Sequence, residues 1–388
     1  MNLAQIQEKP ARFAIGLVSG PSCDGVDAVI IRVKGTGKNI VIKFIAYKSF
    51  PYPPLLKNRL LDEHLNVRDV AALNVEVGQK LAEAAAEMVK LAEQEQVSLD
   101  YIASFGHTIA HVPGGELEQP ALLQIGEPAF IAEQTGLPVI SDFPARDIAA
   151  GGLGGPLTPY ADWLLFHDRQ EEKTLLCIHV GGMARLTVVT PQLEDVVAFD
   201  TGPANIAIDG AVRLLSKGQR NMDRDGAMAA QGTVIDEFME YLLSHPFFQK
   251  SPPRSATRQE FNEEAYLRDA LALRKNQYQE EDLIATVTAS VVKGITDAIE
   301  KFVAPRYTFR QIILGGGGAK NKTLVRMLRQ ALSGISVFTS DQYGIPDSAR
   351  DAIAAAILGN ETIFGKPASL PQATGARHAA VLGKITVP

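Results

Sequence analysis

The sequence predicts an α/β protein of two domains, and three observations lead to this prediction. The chain has 388 residues, more than one typical domain contains. Each half opens on an apolar run, a glycine-containing turn and a second apolar run, which is the pattern of a β-hairpin. Helical and strand patterns alternate after each hairpin, so the two halves indicate a duplicated α/β unit.

The first half begins with strand patterns. They cover residues 13–19, 26–33 and 40–47. Apolar residues at helical spacing then predict a long helix over 67–94. LDYIASFGHTIAH indicates a strand that opens into a loop, EPAFIAEQTG a short helix ended by Gly136, and LPVISDF a further strand. The glycine-rich segment 149–159 is the predicted crossing between the domains.

The second half repeats this order. TLLCIHVGGMARLTVVT reads as two strands around a Gly-Gly turn, and VVAFDTGPAN as a strand ending in a polar turn. Helical patterns predominate over 206–241 and 261–273, and RQIILGGGGAKN predicts a buried strand followed by four glycines and a helix. The predicted domains are residues 1–145 together with 366–388, and residues 146–365.

Composition and charge limit the possible functions. The net charge of −6 provides no electrostatic footprint for nucleic acid. No apolar run approaches the about 20 residues of a membrane span, and MNLAQIQEKPAR lacks the apolar core of a secretory signal. Only two cysteines occur, Cys23 and Cys177, without metal-ligand spacing. A reducing cytoplasm is therefore the expected compartment.

Four glycine-containing segments carry the functional signal: SGPSCDG (19–25), VGGMAR (180–185), FDTGPAN (199–205) and LGGGGAKN (314–321). Any single one is more often an ordinary turn, but four at corresponding points of two halves favour a nucleotide site. The pattern is neither a Walker A loop nor the dinucleotide fingerprint. Two hairpin turns and a late glycine turn instead predict an actin-like (RNase H-like) ATPase fold with a central interdomain cleft.

Eleven motifs occur in order along the chain, among them SGPSCDGVD, FGHTIAH, SDFPARDIAAGGLGGPLTP, VGGMARLT, FDTGPANIAID, DRDGAMAAQG, PPRSATRQEFN, GGGGAKN and TGARHAAVLG. With these motifs the sequence resembles the anhydro-N-acetylmuramic acid kinases along nearly its whole length. The resemblance implies an ATP-dependent enzyme of cell-wall recycling that opens the 1,6-anhydro bridge of a sugar and phosphorylates O6. It further implies that Asp200 is the base that activates water, and that Mg²⁺ accompanies ATP.

The resemblance also implies the remaining site residues. Those expected to bind the nucleotide are Ser19, Gly20, Ser22, Asp24, Gly25, Gly181, Gly182, Gly202, Gly315, Gly316, Gly317, Gly318 and Asn321. Those expected to bind the anhydrosugar are His107, Thr108, Arg146 and Asp147. Asp24 and Asp351 are the expected Mg²⁺ ligands, although Asp24 is as readily interpreted as a brace for its turn. A homodimer is the expected assembly.

Several positions depart from the family pattern. Pro21 replaces a threonine of the first turn, His107 a glutamine, Arg185 an asparagine and Asp351 a glutamate. Because histidine and glutamine offer different donors and acceptors, His107 is predicted to tune substrate choice. Two alternatives stay open: a kinase of another anhydrosugar such as levoglucosan, and a weakly active nucleotide-binding regulatory relative.

Overall fold

The computed structural model describes residues 3–62, 64–114, 119–167 and 173–388. The strands are β1 (Ala11–Ser19), β2 (Gly25–Lys34), β3 (Val41–Pro51), β4 (Tyr101–Val112), β5 (Ala121–Ile125), β6 (Val139–Ser141), β7 (Thr174–Val180), β8 (Met183–Val189), β9 (Val197–Pro203), β10 (Phe309–Gly315), β11 (Ser336–Thr339) and β12 (Lys384–Thr386). The helices are α1 (Leu3–Glu8), α2 (Pro54–Leu61), α3 (Val67–Gln94), α4 (Pro128–Thr135), α5 (Phe143–Ala149), α6 (Pro159–Phe166), α7 (Asn205–Leu215), α8 (Asp236–Leu243), α9 (Arg268–Ala272), α10 (Glu280–Ala298), α11 (Lys322–Ala331), α12 (Arg350–Ile363) and α13 (Pro371–Thr374).

The chain folds into two compact units. Unit 1 comprises Met1–His167, Gln192–Val196 and Gly344–Pro388, and unit 2 comprises Asp168–Pro191 and Val197–Tyr343. No helix among the described residues is long and apolar enough to cross a membrane.

The sheet of unit 1 has the strand order β12-β6-β4-β1-β2-β3, and β5 pairs with β4. β1, β2 and β3 form an antiparallel meander, whereas β4 runs parallel to β1 and β6 parallel to β4. The predicted helix α3 packs its apolar stripe on one face of this sheet, as its buried Leu73, Val77 and Leu81 show. Asn66 begins this helix by accepting hydrogen bonds from the N–H groups of Arg68 and Asp69.

The sheet of unit 2 repeats this arrangement. Its order is β11-β10-β7-β8-β9, with β7, β8 and β9 antiparallel, β10 parallel to β7 and β11 parallel to β10. The order β9-β8-β7-β10-β11 therefore matches β3-β2-β1-β4-β6 strand by strand. This duplicated topology confirms the predicted two-domain, actin-like α/β fold; the central cleft stays a prediction.

The structure divides the chain at other positions than the predicted boundaries. Helices α5, α6 and α12 lie in unit 1, and the segment 149–159 lies inside that unit instead of crossing out of it. The reason is long-range packing. The Tyr101 hydroxyl donates to the carbonyl of Ala356 in α12 at 2.8 Å. The Arg350 guanidinium of α12 donates to Asp162 of α6 at 2.6 Å, and both side chains are buried.

The predicted helical stretch 206–241 is wrong in its middle. α-Helix occupies only its two ends, as α7 and α8, and a single short 3-10 turn at Arg224–Gly226 lies between them. Between them Gly218 and Asp225 adopt left-handed backbone, which an α-helix cannot accommodate. The carboxylate of Asp223 then accepts the N–H groups of Met228 and Ala229 at 2.8 and 3.0 Å. A short polar side chain thus stabilises a turn where the apolar spacing alone predicts a helix.

We expect Gly16→Ala to destabilise unit 1 by about 1–3 kcal/mol, the usual cost of overpacking. A Cβ on Gly16 would lie 1.8 Å from the backbone carbonyl oxygen of Ala352, which cannot rotate away as a side chain could. The matched control is Gly20→Ala, where no heavy atom of the described residues lies within 4 Å of the added Cβ. Urea unfolding of both variants measures the difference. Equal unfolding free energies would contradict this account of how α12 packs on β1.

Candidate active site

The predicted glycine segments of unit 2 lie side by side. Gly315, the last residue of β10, pairs with His179 of β7. A Cβ on Gly316 would lie 2.6 Å from the Val180 carbonyl oxygen, and one on Gly318 would lie 2.2 Å from the Val180 side chain. Gly316 also has a φ of 83°. Only glycine permits this approach, so these residues bring the turn after β10 against the hairpin turn after β7.

The hairpin turn Gly181–Gly182 holds the start of α7. The carbonyl of Gly182 accepts the N–H of Ala204 at 2.8 Å, and that of Gly181 accepts the N–H of Asn205 at 3.0 Å. Gly181, predicted to bind the nucleotide, donates its N–H to the Met183 carbonyl at 3.1 Å. This turn therefore positions the β9–α7 junction through its carbonyls.

Two further residues predicted to bind the nucleotide, Gly202 and Asn321, make contacts inside unit 2. A Cβ on Gly202 would lie 2.8 Å from the Phe248 ring, so this glycine makes room for an aromatic side chain. Asn321 is buried and caps α11 by accepting the Leu324 N–H at 3.0 Å. Gly317, by contrast, is exposed. Among these residues, Gly317 offers the most accessible backbone.

Asp200 lies on β9 with a side chain that is 2% exposed. Its Oδ2 accepts the Ser255 hydroxyl at 3.1 Å and the Ala256 N–H at 2.9 Å. Its Oδ1 accepts Nε–H of Arg185 at 3.2 Å. The carboxylate predicted to act as a base is thus held by donors on both oxygens.

Strand register places Asp200 in a row of side chains on one face of the sheet. Arg185 of β8 pairs with Asp200 on one side and with His179 of β7 on the other. The alternate residues of these strands, such as Ile178 and Leu186, face the apolar core. Because side chains alternate along a strand, the row His179–Arg185–Asp200 lies on the opposite face from that core.

Arg254 fixes Asp200 through the main chain. Its Nε–H donates to the Asp200 carbonyl at 2.9 Å, while the Asp200 N–H donates to the Arg254 carbonyl at 3.1 Å. The guanidinium also contacts the Phe199, Phe247 and Phe302 rings. Burial lowers the pKa of Arg254 to about 10, and the nearby Asp200 opposes this shift. Arg254 is therefore a buried brace.

The first turn of unit 1 follows β1. Ser19 is buried, and its Oγ forms a 3.0 Å hydrogen bond with Nδ1 of His107. The parallel pairing of β1 with β4 places these two residues opposite each other. The His107 ring is 0% exposed, and its Nε2 lies 3.8 Å from Sγ of Cys23. His107, predicted to line a sugar pocket, lies inside unit 1, where it braces the first turn; its role toward a sugar stays a prediction.

The rest of the first turn is more open. Ser22 is exposed, and Gly20 borders open space. Gly25 is fixed by close packing, since a Cβ there would lie 2.1 Å from the Phe50 carbonyl oxygen. The Asp24 carboxylate, 53% exposed, forms an ion pair with Lys57 of α2.

The remaining predicted sugar residues separate into two groups. Thr108 and Arg146 are exposed, so both are accessible to a ligand. Asp147 is fully buried and accepts the Thr374 hydroxyl at 2.7 Å and the Gly154 N–H at 3.0 Å. Burial raises the pKa of Asp147, which those hydrogen bonds partly offset. Asp147 thus anchors the glycine-rich segment 149–159 to the C-terminal part of unit 1.

The predicted metal residues do not form a ready-made metal site. Asp24 lies in the first turn, and Asp351 in the first turn of α12, partly exposed. The described residues contain no group of three or more histidine, cysteine, aspartate or glutamate side chains arranged to hold a metal ion.

Comparison with known proteins decides the family. The sequence profile described as anhydro-N-acetylmuramic acid kinase matches residues 12–388. A protein of that name from Caldanaerobacter subterraneus subsp. tengcongensis is 38% identical over 398 residues, which cover 99% of this chain and 99% of the relative. Another, from Bacillus thuringiensis subsp. konkukian, is 38% identical over 385 residues, which cover 97% and 99%. The chain belongs to the anhydro-N-acetylmuramic acid kinase family.

Membership of the anhydro-N-acetylmuramic acid kinase family confirms the resemblance and the prediction of a phosphotransferase. The sequence did not show that Arg254, Ser255 and the Ala256 N–H lie around Asp200. The available signal was the family motif PPRSATRQEFN, which contains all three residues. Nothing in the local pattern of that motif shows that it packs against β9.

We expect Ser19 and His107 to be energetically coupled, because removing either side chain takes this one hydrogen bond from a buried partner. A double-mutant cycle of Ser19→Ala and His107→Leu should give a coupling energy of about 0.5–3 kcal/mol in urea unfolding. The control cycle combines Ser19→Ala with Thr108→Ala, since Thr108 is exposed. A coupling energy no larger than that of the control would show that this hydrogen bond does not brace the turn.

Proposed function

We propose that this protein uses ATP to convert 1,6-anhydro-N-acetylmuramic acid into N-acetylmuramic acid 6-phosphate, a step of cell-wall recycling. The proposal follows from family membership and rests, at the level of chemistry, on one observation. This observation is a buried carboxylate, Asp200, in the middle of β9, held by the Ser255 hydroxyl and the Ala256 N–H. A carboxylate oriented in this way can accept a proton from water.

The proposed reaction joins two bond changes. Asp200 takes a proton from a water molecule as the water oxygen forms a bond to the anomeric carbon of the sugar. The bond between that carbon and the bridging O6 breaks, and O6 accepts the γ-phosphoryl group of ATP. The water supplies the new hydroxyl on the anomeric carbon, and ADP leaves. Most of the protein's contribution to phosphoryl transfer is positioning and charge neutralisation.

We assign the predicted nucleotide residues to two roles. The exposed Ser22, the open Gly20 and the exposed Gly317 are the proposed contacts, because their hydroxyl or backbone groups are accessible. The other predicted residues shape the turns that carry them. This second group comprises Ser19, Gly25, Gly181, Gly182, Gly202, Gly315, Gly316, Gly318 and Asn321. Thr108 and Arg146 are the proposed sugar contacts.

Mg²⁺ is proposed to arrive with ATP. Because the described residues include no group of three potential metal ligands, phosphate oxygens and water would supply most of its coordination. Asp24 and Asp351 are the proposed carboxylates near it. Asp24 is exposed and pairs with Lys57 through its Oδ1.

The cellular setting remains predicted. Cys23 and Cys177 are buried and not disulfide-bonded, which fits a cytoplasmic reducing compartment. The homodimer also stays a prediction.

We expect Asp200→Asn to lower the turnover number by at least about 100-fold, because an amide cannot accept the proton. ATP affinity should stay close to that of the parent protein, since the substitution preserves size and most hydrogen bonds. The control is Asp236→Asn, an exposed aspartate in the first turn of α8. Coupled ADP release and calorimetric ATP titration measure both quantities. Near-normal turnover in Asp200→Asn would remove this residue from the mechanism.

A further inference from the structure

We propose that Arg185 is an anion-binding residue that frees the base. Its guanidinium leaves Oδ1 of Asp200 for an anionic oxygen of the bound substrate, and Oδ1 then accepts the proton of the attacking water. This inference rests on the proposed function, because it assigns a role beside Asp200 in that reaction.

The two oxygens of Asp200 are held in different ways. Oδ2 accepts the Ser255 hydroxyl and the Ala256 N–H, and both residues follow Arg254, whose backbone is bonded to that of Asp200. This segment is buried, so its donors cannot move away without breaking the local structure. Oδ1 accepts Nε–H of Arg185. Of these donors, only the one from Arg185 belongs to a long side chain that can change its rotamer.

The geometry of the Arg185–Asp200 pair fits an exchangeable contact. The nitrogen–oxygen distance is 3.2 Å, whereas charge-assisted hydrogen bonds of this kind are usually about 2.7–2.9 Å long. The Arg185 side chain is 24% exposed and that of Asp200 is 2% exposed. Arg185 therefore has access to a ligand while it holds the buried carboxylate.

The binding preference of a guanidinium group explains why Arg185 would leave Asp200 for an anion of the substrate. A guanidinium binds carboxylate and phosphate groups best through two parallel N–H donors. Asp200 already uses its Oδ2 for other donors and offers Arg185 a single oxygen. A phosphoryl group or a free carboxylate can offer two oxygens. Substrate binding would thus both engage the arginine and expose the lone pair that the base needs.

The position of Arg185 fits this role. It lies in the row between His179 and Asp200, on the sheet face opposite the apolar core. The strand that carries it begins directly after the Gly181–Gly182 turn. Two parts of the proposed reactants carry the required anion: the phosphates of ATP and the lactyl carboxylate of the muramic acid sugar.

The experiment compares Arg185→Gln and Arg185→Lys with the parent protein and with the control Arg306→Gln, an exposed arginine of unit 2. Calorimetry gives the Kd of ATP, of 1,6-anhydro-N-acetylmuramic acid, and of 1,6-anhydro-N-acetylglucosamine, which lacks the carboxylate. Steady-state assays give kcat and KM for the same substrates. Circular dichroism checks that each variant is folded. If Arg185→Gln is unstable, Arg185→Lys replaces it in the binding measurements.

We expect Arg185→Gln to raise the Kd of one anionic ligand by about tenfold or more, because a hydrogen bond to a charged group is lost. A higher Kd for the muramic sugar alone would identify its carboxylate as the anion that Arg185 binds. A higher Kd for ATP alone would identify a phosphate. Kd values within about twofold of the parent for all ligands, with only kcat reduced, would overturn the proposal and make Arg185 a fixed support of Asp200. If the parent protein phosphorylates neither sugar, the proposed function fails, and the Kd values still report on Arg185.

Discussion

The arrangement around Asp200 depends on a contact between segments more than 50 residues apart. The chain returns after α8 and lays residues 254–256 along β9, with hydrogen bonds in both directions between the backbones of Asp200 and Arg254. This contact places Ser255 and Ala256 on one carboxylate oxygen. Without it, Asp200 would be a buried charge with Arg185 as its remaining partner among these groups, which is costly. The orientation of the proposed base is therefore a product of tertiary structure.

The duplicated sheets explain why the turns predicted to bind the nucleotide occur where they do. In each unit a hairpin turn follows the central strand, β1 or β7, and a parallel strand lies beside it. In unit 1 the parallel strand brings His107 to Ser19, and a side-chain hydrogen bond braces the turn. In unit 2 it brings Gly315 to His179, and close backbone packing has the same effect. The two units thus stabilise equivalent turns by different physical means.

Much of this could be predicted from sequence, because it depends on local pattern. Hairpins, strand ends and the long helix α3 follow from apolar spacing and from glycine positions, and the motif around Asp200 carries the family resemblance. What could not be predicted depends on contacts between residues that are distant in sequence. The place of α12 in unit 1 is fixed by Gly16 and Tyr101 of the first half. The burial of His107 and Asp147 follows from strand register and from the C-terminal segment, so neither was visible in the motifs that suggested sugar contacts.

The claim that the activated water attacks the anomeric carbon of the sugar, and not the phosphorus of ATP, is tested most directly by one single-turnover reaction in H₂¹⁸O. The product is reduced with borohydride at once, so that the label on the anomeric carbon does not exchange, and it is analysed by mass spectrometry. Attack of water on the sugar should leave one ¹⁸O on the former anomeric carbon and none in the transferred phosphate. Label in phosphate, or an unlabelled anomeric carbon, would contradict it.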